Sequence, residues 1–190
     1  METRSKAKCE QSERYTSWGE PIKPFYGIDD AKTREEYDRD LGDPGKFPYT
    51  RGLYPKGYRR FPWAIQMILG YGSGKETNER CKYLRKCGAE GFGGKWFMSP
   101  VFDIATLNCY DQDDPRAGYE VGREGVSIAN RIDMEELVEG IPLDQLNIAF
   151  LGSTCSFTIG SLYIAEADRQ GIPRNKLIGM VPNNPLSSIL

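Results

Sequence analysis

The chain has 190 residues, 39% of them apolar, so it is long enough to bury a core within one domain. Its 25 Lys and Arg residues nearly balance 27 Asp and Glu residues, and the net charge of −2 gives no electrostatic basis for binding nucleic acid or a membrane. No apolar run approaches the roughly 20 residues that span a bilayer, and residues 1–8 are polar, unlike a secretory signal. We therefore expect a cytoplasmic protein.

The sequence contains no histidine. This excludes a Ser-His-Asp triad, a Cys-His dyad and a His-ligated metal within the chain. The cysteines form no Cys-x-x-Cys pair, which argues against a disulfide framework and against a structural zinc site. Any catalysis must therefore depend on a cofactor, on carboxylates or on another chain.

Residues 1–60 are rich in charge, proline and glycine, with little apolar periodicity, and this predicts an extended N-terminal arm. One short helix is expected over Thr33–Arg39, because Thr33 can cap it and Glu36 follows at the spacing of a capping box. The aromatic and basic segment Gly52–Arg60 is expected to form a loop.

Residues 61–190 alternate between helical and strand patterns. Helices are expected where helix formers follow capping residues and precede glycines: Lys75–Lys86, Met134–Glu139 behind Asp133, and Phe157–Gln170. Strands are expected in segments with β-branched, aromatic or continuous apolar content: Phe92–Thr106, Leu146–Leu151 and Leu177–Val181. This order predicts βαβ units with right-handed crossovers and a parallel sheet.

We interpret the α/β pattern as the first part of a (β/α)8 TIM-type barrel over residues 61–190, preceded by the arm and a substrate loop in residues 1–60. A closed barrel needs about 250 residues, and three parallel strands would leave an open sheet edge. We therefore expect either a fragment of a longer chain or completion by a second polypeptide. A small, doubly wound open sheet is the alternative.

The glycine-rich segment Gly70–Lys75 suggests a phosphate-binding loop. That motif requires a glycine where Leu69 stands and Ser or Thr where Glu76 stands, with a strand before it. A flexible turn before a helix explains the segment better.

Three carboxylates, Asp111, Asp113 and Asp114, suggest oxygen ligands for Ca²⁺ or Mg²⁺. The calcium-loop pattern nevertheless lacks its sixth-position glycine and its closing glutamate. A turn stabilised by Asx hydrogen bonds is therefore expected instead, and we predict no metal-binding residue.

A set of short motifs runs collinearly over about residues 40 to 185. Its most specific parts are Phe47-Pro-Tyr-Thr-Arg-Gly-Leu-Tyr-Pro55, Gly70-Tyr-Gly-Ser-Gly-Lys-Glu-Thr-Asn78, Phe102-Asp103, Tyr110-Asp111 and Gly140-Ile-Pro-Leu-Asp144. Together they resemble the adenosylcobalamin-dependent acyl-CoA mutase family, of the methylmalonyl-CoA mutase large-subunit type. The resemblance implies an isomerase, an intramolecular transferase that rearranges the carbon skeleton of an acyl-CoA by radical chemistry.

The resemblance also implies adenosylcobalamin as cofactor, an acyl-CoA as substrate and a cobalamin-binding domain or subunit as partner. In the family one histidine ligates cobalt and a second polarises the thioester. Because this chain has no histidine, both would lie on further chain or on another subunit, so we expect a hetero-oligomer or a fragment. No catalytic residue of this chain can be assigned.

Six residues are expected, by position in the family, to bind the substrate: Tyr54, Lys56, Arg59, Arg60, Gln66 and Ile68. Lys56 would meet a CoA phosphate as a point charge. Gln66 and Phe61 stand where relatives have arginine. For Arg59 and Arg60 a solvated basic loop is an equal alternative.

Four residues are expected to face the cofactor: Ile68, Ile104, Leu107 and Glu124. Methylmalonyl-type enzymes have a tyrosine at the position of Ile68, whereas relatives acting on 2-hydroxyisobutyryl-CoA have isoleucine there. The smaller side chain predicts a branched or bulkier acyl group, unless Ile68 is simply a core residue. Ile104 stands where the hydroxyacyl relatives have an acid, which argues against their particular substrate.

Two prolines depart from the family pattern near the C-terminus. Pro182 has no amide side chain to offer a substrate where the family has glutamine, and Pro185 would stop the helix expected to follow. A non-catalytic interaction or CoA-binding subunit derived from the mutase barrel is therefore the alternative function.

Overall fold

The computed structural model describes residues 13–23, 25–30, 33–57, 66–89, 91, 94–152, 154–184 and 186. The chain divides into two compact units, Met1–Trp63 and Ala64–Leu190. The assignment of residues 1–60 to an arm and substrate loop, and of residues 61–190 to binding of the CoA ester, remains a prediction.

The first unit contains a hairpin that its sequence did not predict. Strand β1 (Arg14–Tyr15) pairs in antiparallel fashion with β2 (Pro21–Ile22), and a 3-10 turn covers Ile28–Asp30. Strands of two residues are too short to show an alternating pattern, so periodicity could not reveal them.

Helix α1 (Arg34–Asp40) confirms the predicted short helix, displaced by one residue. Thr33 caps it as expected: its Oγ1 accepts a hydrogen bond from Glu36 N at 3.3 Å and donates one to Glu36 Oε2 at 3.0 Å. The cap satisfies one of the backbone N–H groups that the first turn of a helix leaves without an intrahelical partner.

The second unit is built on a four-stranded parallel sheet, which confirms the predicted α/β class. Its strands, in spatial and chain order, are β3 (Ile68–Leu69), β4 (Trp96–Pro100), β5 (Leu146–Ala149) and β6 (Ile178–Met180). Three of them fall in predicted strand segments, whereas β3 was not predicted. Within the described residues β3 and β6 are the outer strands of this sheet, so barrel closure remains a prediction.

The described residues of this unit form four α-helices: α2 (Gly74–Lys86), α3 (Ile104–Leu107), α4 (Arg131–Val138) and α5 (Ser156–Arg169). Helices α2 and α5 confirm their predictions, with left-handed glycines just beyond their ends at Gly88 and Gly171. No helix in the described parts of the chain is long and apolar enough to cross a membrane.

Two boundaries were predicted wrongly. Helix α4 begins three residues before Met134, because Asn130 Oδ1 accepts hydrogen bonds from Ile132 N at 2.7 Å and Asp133 N at 3.3 Å. The first three residues of helix α3, residues 104–106, lie in a segment predicted as strand. Its start is set by Asp103, whose side chain caps the helix.

The core lies between the sheet and helices α2, α4 and α5, where α4 packs against both of the others. Its fully buried side chains include Met98, Leu137, Leu146, Ile148, Phe150 and Ile159. Burial of each such side chain contributes about 1.5–3 kcal/mol. The helices therefore fix one face of the sheet and the position of its loops.

Candidate functional site at the carboxyl edge of the sheet

The loops that follow the carboxyl ends of β3, β4 and β5 meet at one edge of the sheet. Isolated bridges join Gly72 and Phe102 to Val126, and Val101 to Leu151. Ligand sites in parallel β/α proteins lie at this edge, because the loops there vary without disturbing the core. We therefore take the carboxyl edge as the candidate site.

Asp103 connects two of these loops. Its side chain is fully buried; Oδ1 accepts a hydrogen bond from Thr106 N at 2.8 Å and Oδ2 accepts one from Gly122 N at 2.6 Å. A buried carboxylate is stabilised only when such donors replace water. Asp103 thus holds the loop before Val126 against the end of β4, a role that its place in a family motif did not reveal.

A second set of contacts fastens the glycine-rich turn to the same loop. Gly72 N donates to Gly122 O at 2.7 Å, and Ser127 N donates to Gly72 O at 3.0 Å. Gly122 has φ +70°, and a Cβ placed on it would lie 2.9 Å from Gly72 Cα. The two backbones approach so closely that only glycine fits at position 122. The glycine-rich turn and the loop before Val126 are therefore held together.

The N-terminus of α2 is occupied by a carboxylate of its own helix. Glu76 Oε2 accepts hydrogen bonds from Ser73 N at 2.9 Å and Ser73 Oγ at 3.0 Å, and these bonds lower the pKa of Glu76. The prediction of a turn before a helix is confirmed, although strand β3 does precede it. Because the carboxylate fills the anion position, the segment is not a phosphate loop.

Ile68 lies on the sheet face opposite to the helices. Successive strand residues point to opposite faces, and its neighbour Leu69 belongs to the core, whereas Ile68 is 65% exposed. Ile68 therefore lies outside the core of this unit. Ser99 lies beside it in register on β4.

The other predicted cofactor-facing residues lie in the loops of the carboxyl edge. Ile104 is the first residue of α3 and is 43% exposed, and Glu124 is exposed before Val126. Leu107 ends α3 and packs partly against the core, so it offers less surface to a ligand. The structure thus places Ile104, Leu107 and Glu124 at one edge.

The predicted substrate-binding residues are more widely distributed. Gln66 is exposed and comes two residues before Ile68, at the amino end of β3. Tyr54 and Lys56 are exposed in turns of the first unit. Arg59, Arg60 and Phe61 lie outside the described residues.

The loop after α3 carries a rigid polar turn, as predicted for its aspartates. Asp114 Oδ1 accepts a hydrogen bond from Arg116 N at 2.8 Å, and Arg116 Nη2 binds Asp114 Oδ2 at 2.6 Å. The Arg116 guanidinium lowers the pKa of Asp114 to about 2 and stacks 4.1 Å from the Tyr110 ring centroid. Across the described ranges no three potential ligands converge on a metal position.

These features define a parallel β/α protein whose exposed apolar side chains and hydrogen-bonded loops lie at the carboxyl ends of its strands. Residues 15–190 match the family model described as methylmalonyl-CoA mutase. The chain belongs to the methylmalonyl-CoA mutase family.

Named relatives are mutases from bacteria and animals. The chain is 38% identical over 174 residues to the 2-hydroxyisobutanoyl-CoA mutase large subunit of Aquincola tertiaricarbonis, covering 90% of this chain and 29% of that protein. It is 35% identical over 175 residues to the methylmalonyl-CoA mutase large subunit of Streptomyces virginiae, covering 92% and 23% respectively. With human mitochondrial methylmalonyl-CoA mutase it shares 32% identity over 176 residues, covering 93% and 22%. The chain therefore spans less than a third of the length of these relatives.

Proposed function

We propose that this chain is the part of an acyl-CoA mutase large subunit that binds the acyl-CoA thioester and faces adenosylcobalamin. The observation that carries the proposal is the exposure of two apolar side chains, Ile68 and Ile104, beside a sheet edge whose sequence belongs to the mutase family. Large exposed apolar side chains that lie close together are typical of surfaces that contact a ligand or a partner. The reaction would be a carbon-skeleton isomerisation.

The residues at this edge suit one face of a corrin ring. Ile68 and Ile104 offer apolar surface for packing, and the exposed Glu124 carboxylate can accept hydrogen bonds from amide side groups. The chain contains no histidine, so a cobalt ligand of that type would come from another domain or chain. When bound, adenosylcobalamin would supply the radical that starts the rearrangement.

The contribution of this chain is to bind and shield the substrate. Ile68 removes a ring and hydroxyl group that methylmalonyl-type enzymes carry, and the apolar Ile104 offers no partner for a substrate hydroxyl. A branched or bulky apolar acyl group is therefore the favoured substrate. Buried polar groups left without partners would penalise a hydroxylated one.

The CoA moiety would be held by the substrate loop and its surroundings. Tyr54 is exposed and available for stacking, Lys56 supplies a positive charge for a phosphate, and Arg59 and Arg60 follow in sequence. Gln66 would contribute an amide in place of the arginine of related mutases.

The partners we propose are the remaining barrel strands and a cobalamin-binding domain, in the same chain or in another subunit. The outer strands β3 and β6 end the sheet within the described residues, and such edges are normally paired or covered. The short coverage of the relatives supports the same arrangement.

The test combines the chain with a family polypeptide carrying the remaining strands and cobalamin domain, adenosylcobalamin and a series of branched acyl-CoAs. We expect isomerised acyl-CoA by mass spectrometry and a radical signal by electron paramagnetic resonance. Omission of the chain is the control and should abolish both. Absence of isomerisation and signal with every substrate would overturn the proposal.

A second candidate is a CoA-binding or interaction subunit without chemistry, favoured by Pro182, two residues after the end of β6. Proline carries neither a side-chain amide nor a backbone N–H for a substrate. Calorimetric titration with CoA alone distinguishes the cases: binding of CoA without isomerisation in the complete assembly supports this second function.

A further inference from the structure

Two cysteines lie in neighbouring segments of the carboxyl edge. Cys109 is exposed, two residues after α3, and Cys155 is buried immediately before α5. The hydroxyl of Thr154 donates a hydrogen bond to the carbonyl oxygen of Leu107. This bond joins the segment that contains Cys155 to the end of the helix that Cys109 follows.

Cys109 is held on a defined turn. Its φ is +56°, in the left-handed region that favours glycine, and its N–H donates to Thr106 O at 3.0 Å. The next N–H, of Tyr110, donates to Ala105 O at 2.9 Å. These two bonds terminate α3 and fix the backbone at Cys109.

Cys155 is enclosed by groups at the ends of β4 and β5. A Cβ on Gly152 would lie 2.8 Å from both Cys155 Sγ and Phe102 Cδ2, which shows how closely these groups pack. Burial raises the pKa of the Cys155 thiol to about 12, and the charge of the nearby Cys109 acts in the same direction.

We propose that Cys109 and Cys155 form a redox modification site that reacts with low-molecular-weight disulfides such as oxidised glutathione. The Cys109 thiolate attacks one glutathione sulfur, forming a mixed disulfide and releasing one glutathione. The Cys155 thiolate then attacks the Cys109 sulfur, closing an intramolecular disulfide and releasing the second glutathione. Two protein thiols are oxidised, one glutathione disulfide is reduced, and the thiol protons pass through solvent to the leaving thiolates.

The environments of the two thiols set this order. Cys109 is exposed to solvent and accessible to the oxidant. Cys155 is buried, and its thiol is almost wholly protonated at neutral pH. The mixed disulfide on Cys109 therefore forms first. Below the pKa of Cys155 its thiolate fraction rises about tenfold for each pH unit, so closure accelerates as pH rises.

The product would join the end of α3 to the start of α5 across the candidate site. The disulfide would restrain the movement of α3, whose first and last residues are Ile104 and Leu107. The proposal needs no bound CoA or cobalamin, so its test is independent of the mutase function.

Trypsin separates the cysteines completely. Cys109 lies in residues 96–116, Cys155 in residues 132–169, and the others in residues 9–14, 81–82 and 87–95. The folded 190-residue chain is incubated with oxidised glutathione, quenched with acid, alkylated and digested without reduction. We expect a cross-linked pair of residues 96–116 with 132–169, formed faster at mildly alkaline than at neutral pH.

Three variants make the result decisive. Cys109→Ser should abolish the cross-link and leave Cys155 unmodified, Cys155→Ser should retain glutathione on Cys109, and Cys87→Ser should leave the cross-link unchanged. A denatured sample is the folding control and should give cross-links scattered over other cysteines. Glutathione that stays on Cys109 at every pH in the unmutated chain, or a cross-link of Cys109 to Cys87, would overturn the proposal.

Discussion

Asp103 Oδ2 accepts a hydrogen bond from Gly122 N at 2.6 Å, across 19 positions of sequence, and joins the end of β4 to the loop that precedes Val126. The carboxylate is buried, and its second oxygen caps α3 through Thr106 N. One side chain therefore sets both the start of a helix and the position of a loop at the candidate site.

Replacement of Asp103 should loosen this edge. Asp103→Asn exchanges one accepting oxygen for an N–H₂ donor that faces another N–H group, so we expect a loss of about 1.5–3 kcal/mol in the free energy of unfolding. Urea unfolding followed by circular dichroism measures it. Asp113→Asn, at an exposed position of the following loop, is the control and should change stability little. Equal stabilities of the two variants would contradict the role of Asp103.

Substitutions at two glycines with nearly equal φ angles distinguish the cost of backbone strain from the cost of a steric clash. Gly122 has φ +70° and lies against Gly72, whereas Gly171 has φ +71° with open space around it. Gly171→Ala should cost about 1–2 kcal/mol through backbone strain alone. Gly122→Ala should cost more, because its new methyl group would meet the Gly72 backbone. If thermal unfolding shows the same loss for both, the close approach does not constrain this edge.

Glu166 should make stability depend on pH. Its buried carboxylate is bonded by Arg169 at 2.8 Å, Gln170 at 2.8 Å and Arg131 at 3.1 Å, and the Arg169 bonds are the main cause of its lowered pKa. Because the folded pKa is lowered, the stabilisation is present above the unfolded value of about 4.3 and is lost as pH falls toward the folded value.

We expect Glu166→Gln to lose about 2 kcal/mol or more near neutral pH, and the difference from the unmutated chain to shrink below about pH 4. Unfolding curves across this pH range measure it. Glu79→Gln, on the exposed side of α2, is the matched control and should show no such convergence. A constant difference at all pH values would rule out a role for the charge of Glu166.

Ile68 should affect the proposed activity more than stability. Because its side chain is exposed, Ile68→Tyr should change the free energy of unfolding by less than about 0.5 kcal/mol. In the complete mutase assembly it should lower kcat/KM for a branched acyl-CoA by about tenfold or more, since the ring fills the space for the acyl branch. Ile132→Tyr, exposed on α4, should leave kcat/KM unchanged. Unchanged kinetics in Ile68→Tyr would remove this residue from the proposed acyl pocket.

Local sequence signals were sufficient to predict the elements whose ends are set by residues within or next to them. Ser73 and Glu76 form the capping box that starts α2, and Gly171 follows the end of α5. The apolar run that predicted β5 needs no tertiary information, since a strand buried on both faces is continuously apolar. These signals depend on residues that lie close together in the sequence.

The missed elements have two causes, a distant strand partner and local caps that were not recognised. Strand β3 has only two residues and exists because it pairs with Ser99 and Pro100 of β4. Helix α3 has the apolar composition of a strand, and the Asp103 cap decides its conformation. The start of α4 was misplaced because Asn130 was not recognised as its cap.

The sequence by itself determined the α/β class, the main helices, the absence of histidine and, through collinear motifs, membership of the mutase family. Only the tertiary structure decided that Ile68 is exposed, that Asp103 reaches Gly122 and that the segment before α5 is hydrogen-bonded to the end of α3. The physical reason is the distance in sequence over which each interaction acts. Caps and periodicity act over a few residues, whereas a site forms from side chains that the folding of the sheet brings together from segments far apart in the chain.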